Sequence, residues 1–202
     1  MKMPFFASFI VFLIWLAFTL RRGRQRTADL KQSFWQKELA ANSTRRKPLD
    51  DLNYITIPFD TLPVHIMPED PRIQEYLQTL HQLAESPIVN FTGISNTDLK
   101  LQYGAPNIDL LSRYDQSYTT MVCTLQKWAV LLHEEGYTDE ACRILEFSVS
   151  TDSDITAAYR LLASVYQSKG QADKLNALKE RAEQLKSGSR AMIVRALQEY
   201  DL

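Results

Sequence analysis

Cysteine is almost missing from this chain, histidine is sparse and glycine is rare. Two cysteines in 202 residues, Cys123 and Cys142, are too few for a disulfide framework, and their apolar, helix-forming neighbours predict buried free thiols. The three histidines, His65, His81 and His133, fall in separate segments with no H-x-x-x-H or paired-cysteine spacing, so no metal site is expected. No glycine-rich phosphate loop and no G-x-S-x-G turn occurs, which removes the common nucleotide-binding and hydrolase signatures. Acidic pairs do occur, Glu134–Glu135 and Asp139–Glu140, but they bracket a glycine as solvated residues at helix ends do. The expectation is a protein that is not an enzyme, with no catalytic residue, no cofactor and no metal.

Net charge is also nearly absent as a total, −1, yet it is unevenly distributed. Residues 21–47 carry nine basic side chains against Asp29 and Glu38, a balance of +7, while residues 48–202 carry 13 basic and 22 acidic, a balance of −9. An acidic body with scattered cations excludes nucleic acid as the expected partner. At 202 residues, 45% of them hydrophobic, the chain is expected to hold one domain with accessories or two very small domains.

The one long stretch without charge is MPFFASFIVFLIWLAFTL, residues 3–20. As a helix its eighteen residues reach about 27 Å, close to the hydrocarbon thickness of a bilayer. No A-x-A-like run follows it, as a cleaved signal would require; RRGRQR follows instead. Arg21, Arg22, Arg24 and Arg26 resist translocation and meet lipid phosphates, which predicts a single-pass anchor with its N-terminus outside and the rest cytoplasmic. A bacterial cytoplasmic membrane is the expected location. Trp15 and Phe18 are placed towards the cytoplasmic headgroups. The rival topology has its own markers, the tripeptides NST at Asn42 and NFT at Asn90, which fit N-glycosylation in a lumenal domain.

Residues 21–41 read as a basic juxtamembrane helix with Leu30, Phe34, Trp35 and Leu39 on one face, suited to contact with anionic lipid or to a solvated stalk. Residues 42–69 change character. Pro48, Pro58, Pro63 and Pro68, with Pro71 beyond, exclude a long helix, and LNYITIP suits an extended segment. This stretch is expected to be a strap, with Tyr54, Ile55, Ile57 and Phe59 tucked against the domain that follows.

Asp70 and Pro71 have the order of a capping carboxylate and a first-position proline, opening a helix whose stripe is Ile73, Tyr76, Leu77, Leu80 and Ala84. SNTDLKLQYG predicts a second short helix ended by Gly104 and Pro106, and a long helical run from there to Gly136 has a candidate break near Asp115. Two later segments then repeat at a constant offset. Leu125 matches Tyr159, Trp128–Ala129 match Leu162–Ala163, Leu132 matches Tyr166, Gly136 matches Gly170, and Ala141 matches Leu175. Gly136 is expected to end a helix in a left-handed conformation, with Thr138 capping the next.

This pattern resembles the tetratricopeptide repeat, a unit of about 34 residues folded as two antiparallel helices. Copies at 122–155 and 156–189 carry the resemblance; the first has Leu132 for the aromatic and Ser148 at the later small site, and neither has the terminal proline. The resemblance implies an all-α array of helix hairpins, with residues 70–121 supplying helices on one side. Residues 190–202 would close the other side as a capping helix, with Ile193, Ala196, Leu197 and Tyr200 inward and Arg190, Arg195 and Glu199 outward. It also implies a groove for a peptide or partner helix, lined by Gln126, Val130, His133, Arg160, Ser164 and Gln167. The function expected is therefore a membrane-anchored scaffold or adaptor for an unknown protein or peptide. The alternative is a subunit packed permanently into a larger membrane complex.

Overall fold

A computed structural model describes residues 3–200, apart from the side chains of residues 3–7 and 23–29. Among the described residues all regular elements are helical: α1 Met3–Asn42, α2 Pro71–Ala84, α3 Asn96–Tyr103, α4 Ile108–Glu134, α5 Thr138–Ser150, α6 Thr156–Ser168, α7 Ala172–Gln184 and α8 Arg190–Leu197. They form two compact units, the residues up to Lys47 with Ser95–Ile108, and Pro48–Ile94 with the residues from Asp109 on.

In the first unit one unbroken helix, α1, runs through both the apolar stretch and the basic segment after it. Gly23 does not interrupt it. The described side chains of the apolar stretch run from Ser8 to Leu20, about 20 Å of helix. No helix is long and apolar enough, among the described residues, to cross a membrane. The C-terminal end of α1 packs on α3. Glu38 accepts hydrogen bonds from Thr97 Oγ1 (2.6 Å) and Lys100 Nζ (2.5 Å), and Lys37 donates to Asp98 (2.6 Å). The bond from Lys100, with that from Thr97, holds the Glu38 carboxyl below its usual range. These pairs explain why α3 belongs with α1 rather than with the helices that neighbour it in sequence. Ser95 caps α3, and Gly104 ends it at φ 97°. A Cβ on Gly104 would run into the Arg45 carbonyl, so glycine is required there on two counts.

In the second unit the strap contributes to the core. Ile57 and Leu62 are buried among the helices, with Ile55 and Phe59 packed against them. Tyr54 bridges Val89, Ile55 N–H donates to the Ile88 carbonyl (2.9 Å), and the Phe59 ring stacks on His81 at 4.1 Å. Asp70 caps α2 by accepting from the Arg72 N–H (2.8 Å), with Pro71 in the first turn. The inward stripe is Ile73, Tyr76, Leu77, Leu80 and Leu83; Ala84, expected to close it, is exposed. At Asp115 α4 continues without a break, because that carboxylate accepts from the Phe91 N–H (3.1 Å) instead of ending a helix.

The constant offset of the sequence reappears as geometry. Helix α5 begins at Thr138 and α7 at Ala172, the same separation as Leu125 and Tyr159, while α4 ends at Glu134 and α6 at Ser168, again the same separation. Helices α5 and α7 are also equal in length, at 13 residues each. Both turns are closed by the same two bonds: Tyr137 N–H to Leu132 C=O (2.8 Å) with Gly136 N–H to His133 C=O (3.1 Å), and Gln171 to Tyr166 (2.9 Å) with Gly170 to Gln167 (3.1 Å). This is the Schellman arrangement, in which the left-handed residue lets the next amide reach back over the last helical turn. Gly136 has φ 90° and Gly170 φ 65°. Thr138 opens α5 without capping it through its side chain; its hydroxyl meets His133 Nδ1 at 3.1 Å.

The matched residues are buried in both copies: Leu125 with Tyr159, Trp128 with Leu162, Ala129 with Ala163, Leu132 with Tyr166, Ala141 with Leu175 and Ser148 with Ala182. Helix α6 touches α5, α7 and α8, and Ile193, Ala196 and Leu197 of α8 are buried, with Tyr200 packed beside them. Cys142 is buried as expected, but Cys123 is exposed, because Val122, Thr124 and Leu125 take the inward directions around it.

Three consequences for stability can be measured by thermal unfolding in mild detergent, followed by circular dichroism. Gly136→Ala meets open space and is expected to cost only the left-handed penalty, about 1–2 kcal/mol. Gly104→Ala adds a backbone collision to that penalty and is expected to cost about 2–4 kcal/mol. Ser148→Ala is expected to raise the melting temperature, by about 1 kcal/mol in stability, because its buried hydroxyl has no hydrogen-bond partner and the equivalent position already holds Ala182.

Candidate functional site

The six groove residues of the sequence reading lie in register on α4 and α6. Gln126, Val130 and His133 are half-buried on α4; Ser164 and Gln167 are half-buried and Arg160 exposed on α6. Ser164 donates to the Leu161 carbonyl (2.9 Å), and the Gln126 Oε1 is buried with no hydrogen-bond partner. None of these six residues lines the cavities described below, along α5–α7 and beside Asn90.

A concavity lies along α5, α6 and α7. Val149, Leu162, Ala177 and Leu178 floor a cavity of about 240 Å³, and Asp139, Cys142, Arg143 and Lys169 line a second of about 270 Å³. Glu146, Tyr166 and Lys174 border both. The Tyr166 hydroxyl and Lys174 Nζ each donate to Glu146 Oε1 at 2.8 Å, and Lys174 lies 5.4 Å from the centre of the Tyr166 ring. At the far end Arg181 donates to the carbonyls of Val149 (2.7 Å) and Ser150 (2.6 Å) and to the Asp152 carboxylate (2.9 Å). It thereby adds a second donor to the Val149 carbonyl, which already accepts from the Asp152 N–H (3.0 Å), and reaches the Ser150 carbonyl at the last residue of α5.

The electrostatics of this cleft favour holding over reacting. Burial pushes the Tyr166 hydroxyl well above its ordinary value, and its bond to the Glu146 carboxylate adds to the rise. Burial also raises the Cys142 thiol, so it stays protonated at neutral pH. The hydrogen bond between Asp139 and Lys169 lowers the acid and raises the base. Each shift moves its group away from neutrality, whereas a general acid or base works with a value near the operating pH.

Sequence reasoning did not find this cleft. Lys174 matches Glu140 in the repeat register and Arg181 matches Phe147, so the cleft's two cations on α7 have no counterpart in the first copy, although Asp139 matches Asp173 and Glu146 matches Glu180. The only signal was the small Ala177 among polar neighbours, which is too common to read.

A third hollow, about 230 Å³, lies where Asn90 and Thr92 meet the ends of α5 and α7. Asn90 Nδ2 donates to the Thr151 carbonyl (2.9 Å), and its Oδ1 accepts from the Thr92 N–H (2.8 Å). The nitrogen that a sugar would occupy is therefore already committed. At the other tripeptide, Asn42 is exposed and accepts from Lys100 Nζ (2.8 Å). Of the four arginines expected to meet lipid, Arg21 and Arg22 are exposed, and the side chains of Arg24 and Arg26 lie outside the described residues. No group of metal-binding side chains occurs among the described residues.

Arg181→Ala removes a cation that closes the end of α5, and is expected to cost about 1–3 kcal/mol in thermal unfolding. Arg181→Lys should recover part of that loss, since it restores the charge but not the fork. No family model matches the chain, and no curated protein or solved structure matches it.

Proposed function

We propose that this protein is a membrane-anchored scaffold that presents a tetratricopeptide-like helical domain to the cytoplasm for binding another protein or peptide. The observation that carries the reading is the pair of matching glycine turns. Gly136 and Gly170, one repeat apart, close the same two bonds, with buried partners in step on either side. Hairpins stacked with one geometry leave a continuous, open side-chain surface, which is how repeat proteins meet their ligands. Gln126, Val130, His133, Arg160, Ser164 and Gln167 are the residues assigned to that surface.

The anchor rests on the eighteen uncharged residues 3–20 and the arginines that follow them. Within that stretch, Phe9, Val11, Ile14, Trp15 and Phe18 are exposed on all sides of α1, an arrangement that lipid covers and water does not. Confinement to a membrane raises the domain's effective concentration towards other membrane components, which is what an anchored adaptor gains.

The exposed Cys123 is a native reporter of topology, since Cys142 is buried. A membrane-impermeant maleimide is expected to label Cys123 only after cells are permeabilised; labelling in intact cells overturns the orientation. Partner binding is tested in native membranes with a photoreactive residue at Val130 or Arg160. One defined protein adduct from these sites supports the groove, while adducts only from Ala177 move the binding face to the α5–α7 cleft.

A further inference from the structure

Helix α1 has a property that the anchor and the basic segment do not use. Six charged residues crowd residues 21–31: Arg21, Arg22, Arg24, Arg26, Asp29 and Lys31. Of the seven heptad registers that can be drawn through this stretch, one avoids all six. It runs Phe9, Leu13, Leu16, Leu20, Gly23, Thr27, Leu30, Phe34 at alternating spacings of four and three. Since α1 is continuous from Met3 to Asn42, these positions form one seam along the helix. Leu30 is 62% exposed and Phe34 56%, so no element of this chain covers them.

The same register continues to Lys37 and Ala41, and there the face is occupied. Lys37 and Glu38 bind Asp98, Thr97 and Lys100 of α3, and Ala41 is fully buried. The seam therefore runs directly on from an established helix–helix interface and is exposed at Phe34, Leu30, Leu20, Leu13 and Phe9. Trp35 and Leu39 stand about 100° or more away in helical rotation, on a different side from Leu30 and Phe34. The four residues that the sequence grouped on one face are two pairs.

We propose that α1 pairs in parallel, in register, with α1 of a second copy of this chain along the seam Phe9–Phe34. The inference rests on the membrane-anchored reading, because a shared bilayer is what holds two copies parallel and at equal depth. Each copy then meets its own seam, and a and d positions pack against their equivalents. Gly23 stands at a d position at the level of the arginines, where the lack of a side chain lets two backbones approach. Arg24 and Arg26 stand at the flanking e and g positions, where lipid phosphates offset their mutual repulsion. The contact ends at Phe34, since α3 of the same chain takes the next turns.

The test uses the full chain in native membranes with Cys123→Ser and Cys142→Ala, adding one cysteine at a time by Leu30→Cys, Phe34→Cys, Trp35→Cys or Leu39→Cys. After mild oxidation and a non-reducing gel, the first two are expected to give disulfide-linked dimers at least several-fold more abundant than the last two. Leu39 is the most exposed of the four at 68%, so accessibility alone would put Leu39→Cys first. Equal or greater yield at Leu39→Cys, monomers throughout, or adducts with a protein of another mass all overturn the pairing. Alkaline carbonate extraction of the same membranes separates the two ideas: release of the chain into the supernatant overturns the anchored reading, whatever the gel shows.

Discussion

Two antiparallel helices can lie against each other only if the chain reverses within a short turn, and this fold does so twice with one device. At Gly136 and at Gly170 the backbone enters a region that side chains disfavour, and two amides turn back onto the helix just completed. That reversal fixes where the next helix starts, and hence which residues meet. Ala129 and Ala163 are small because the turn brings a neighbouring helix close to them. Trp128 and Leu162 are large because the same geometry leaves a wide space beside them. Fully burying a side chain of this size contributes about 1.5–3 kcal/mol, so the turns govern the larger part of what stabilises α4–α7 without contributing much themselves.

What could be read from the sequence were features whose cause is local or periodic. Asp70 and Pro71 open α2, Ser95 and Gly104 bound α3, and the repeat offset places both hairpins, because each depends on neighbours within one or two turns. The inward residues of α8 followed from helical spacing alone. Some local expectations failed: Ala84 and Cys123 are exposed rather than buried. Thr138 does not cap α5, since backbone amides already close that turn, and Asp115 does not break α4, since its carboxylate is engaged by Phe91.

The features that stayed hidden join residues far apart in the chain. Glu38 reaches Thr97 and Lys100 across some sixty positions, and that assigns α3 to α1. Arg181 reaches back to Val149, and Asn90 reaches forward to Thr151. Such bonds leave no period in the sequence and use residues that are ordinary at a surface. The α5–α7 cleft was missed for the same reason: a repeat register reports what two copies share, and Lys174 and Arg181 have no counterpart in the first copy.

The strap carries a mechanical implication. Leu52, Ile57 and Leu62 are buried, so few residues beyond Lys47 are free to extend before the chain enters the hydrophobic interior. Drawing the strap away would therefore be felt at once by α2, whose His81 stacks on Phe59 and whose Ile73 and Leu80 share its core. The strap and α2 are coupled, so neither can loosen while the other keeps its packing.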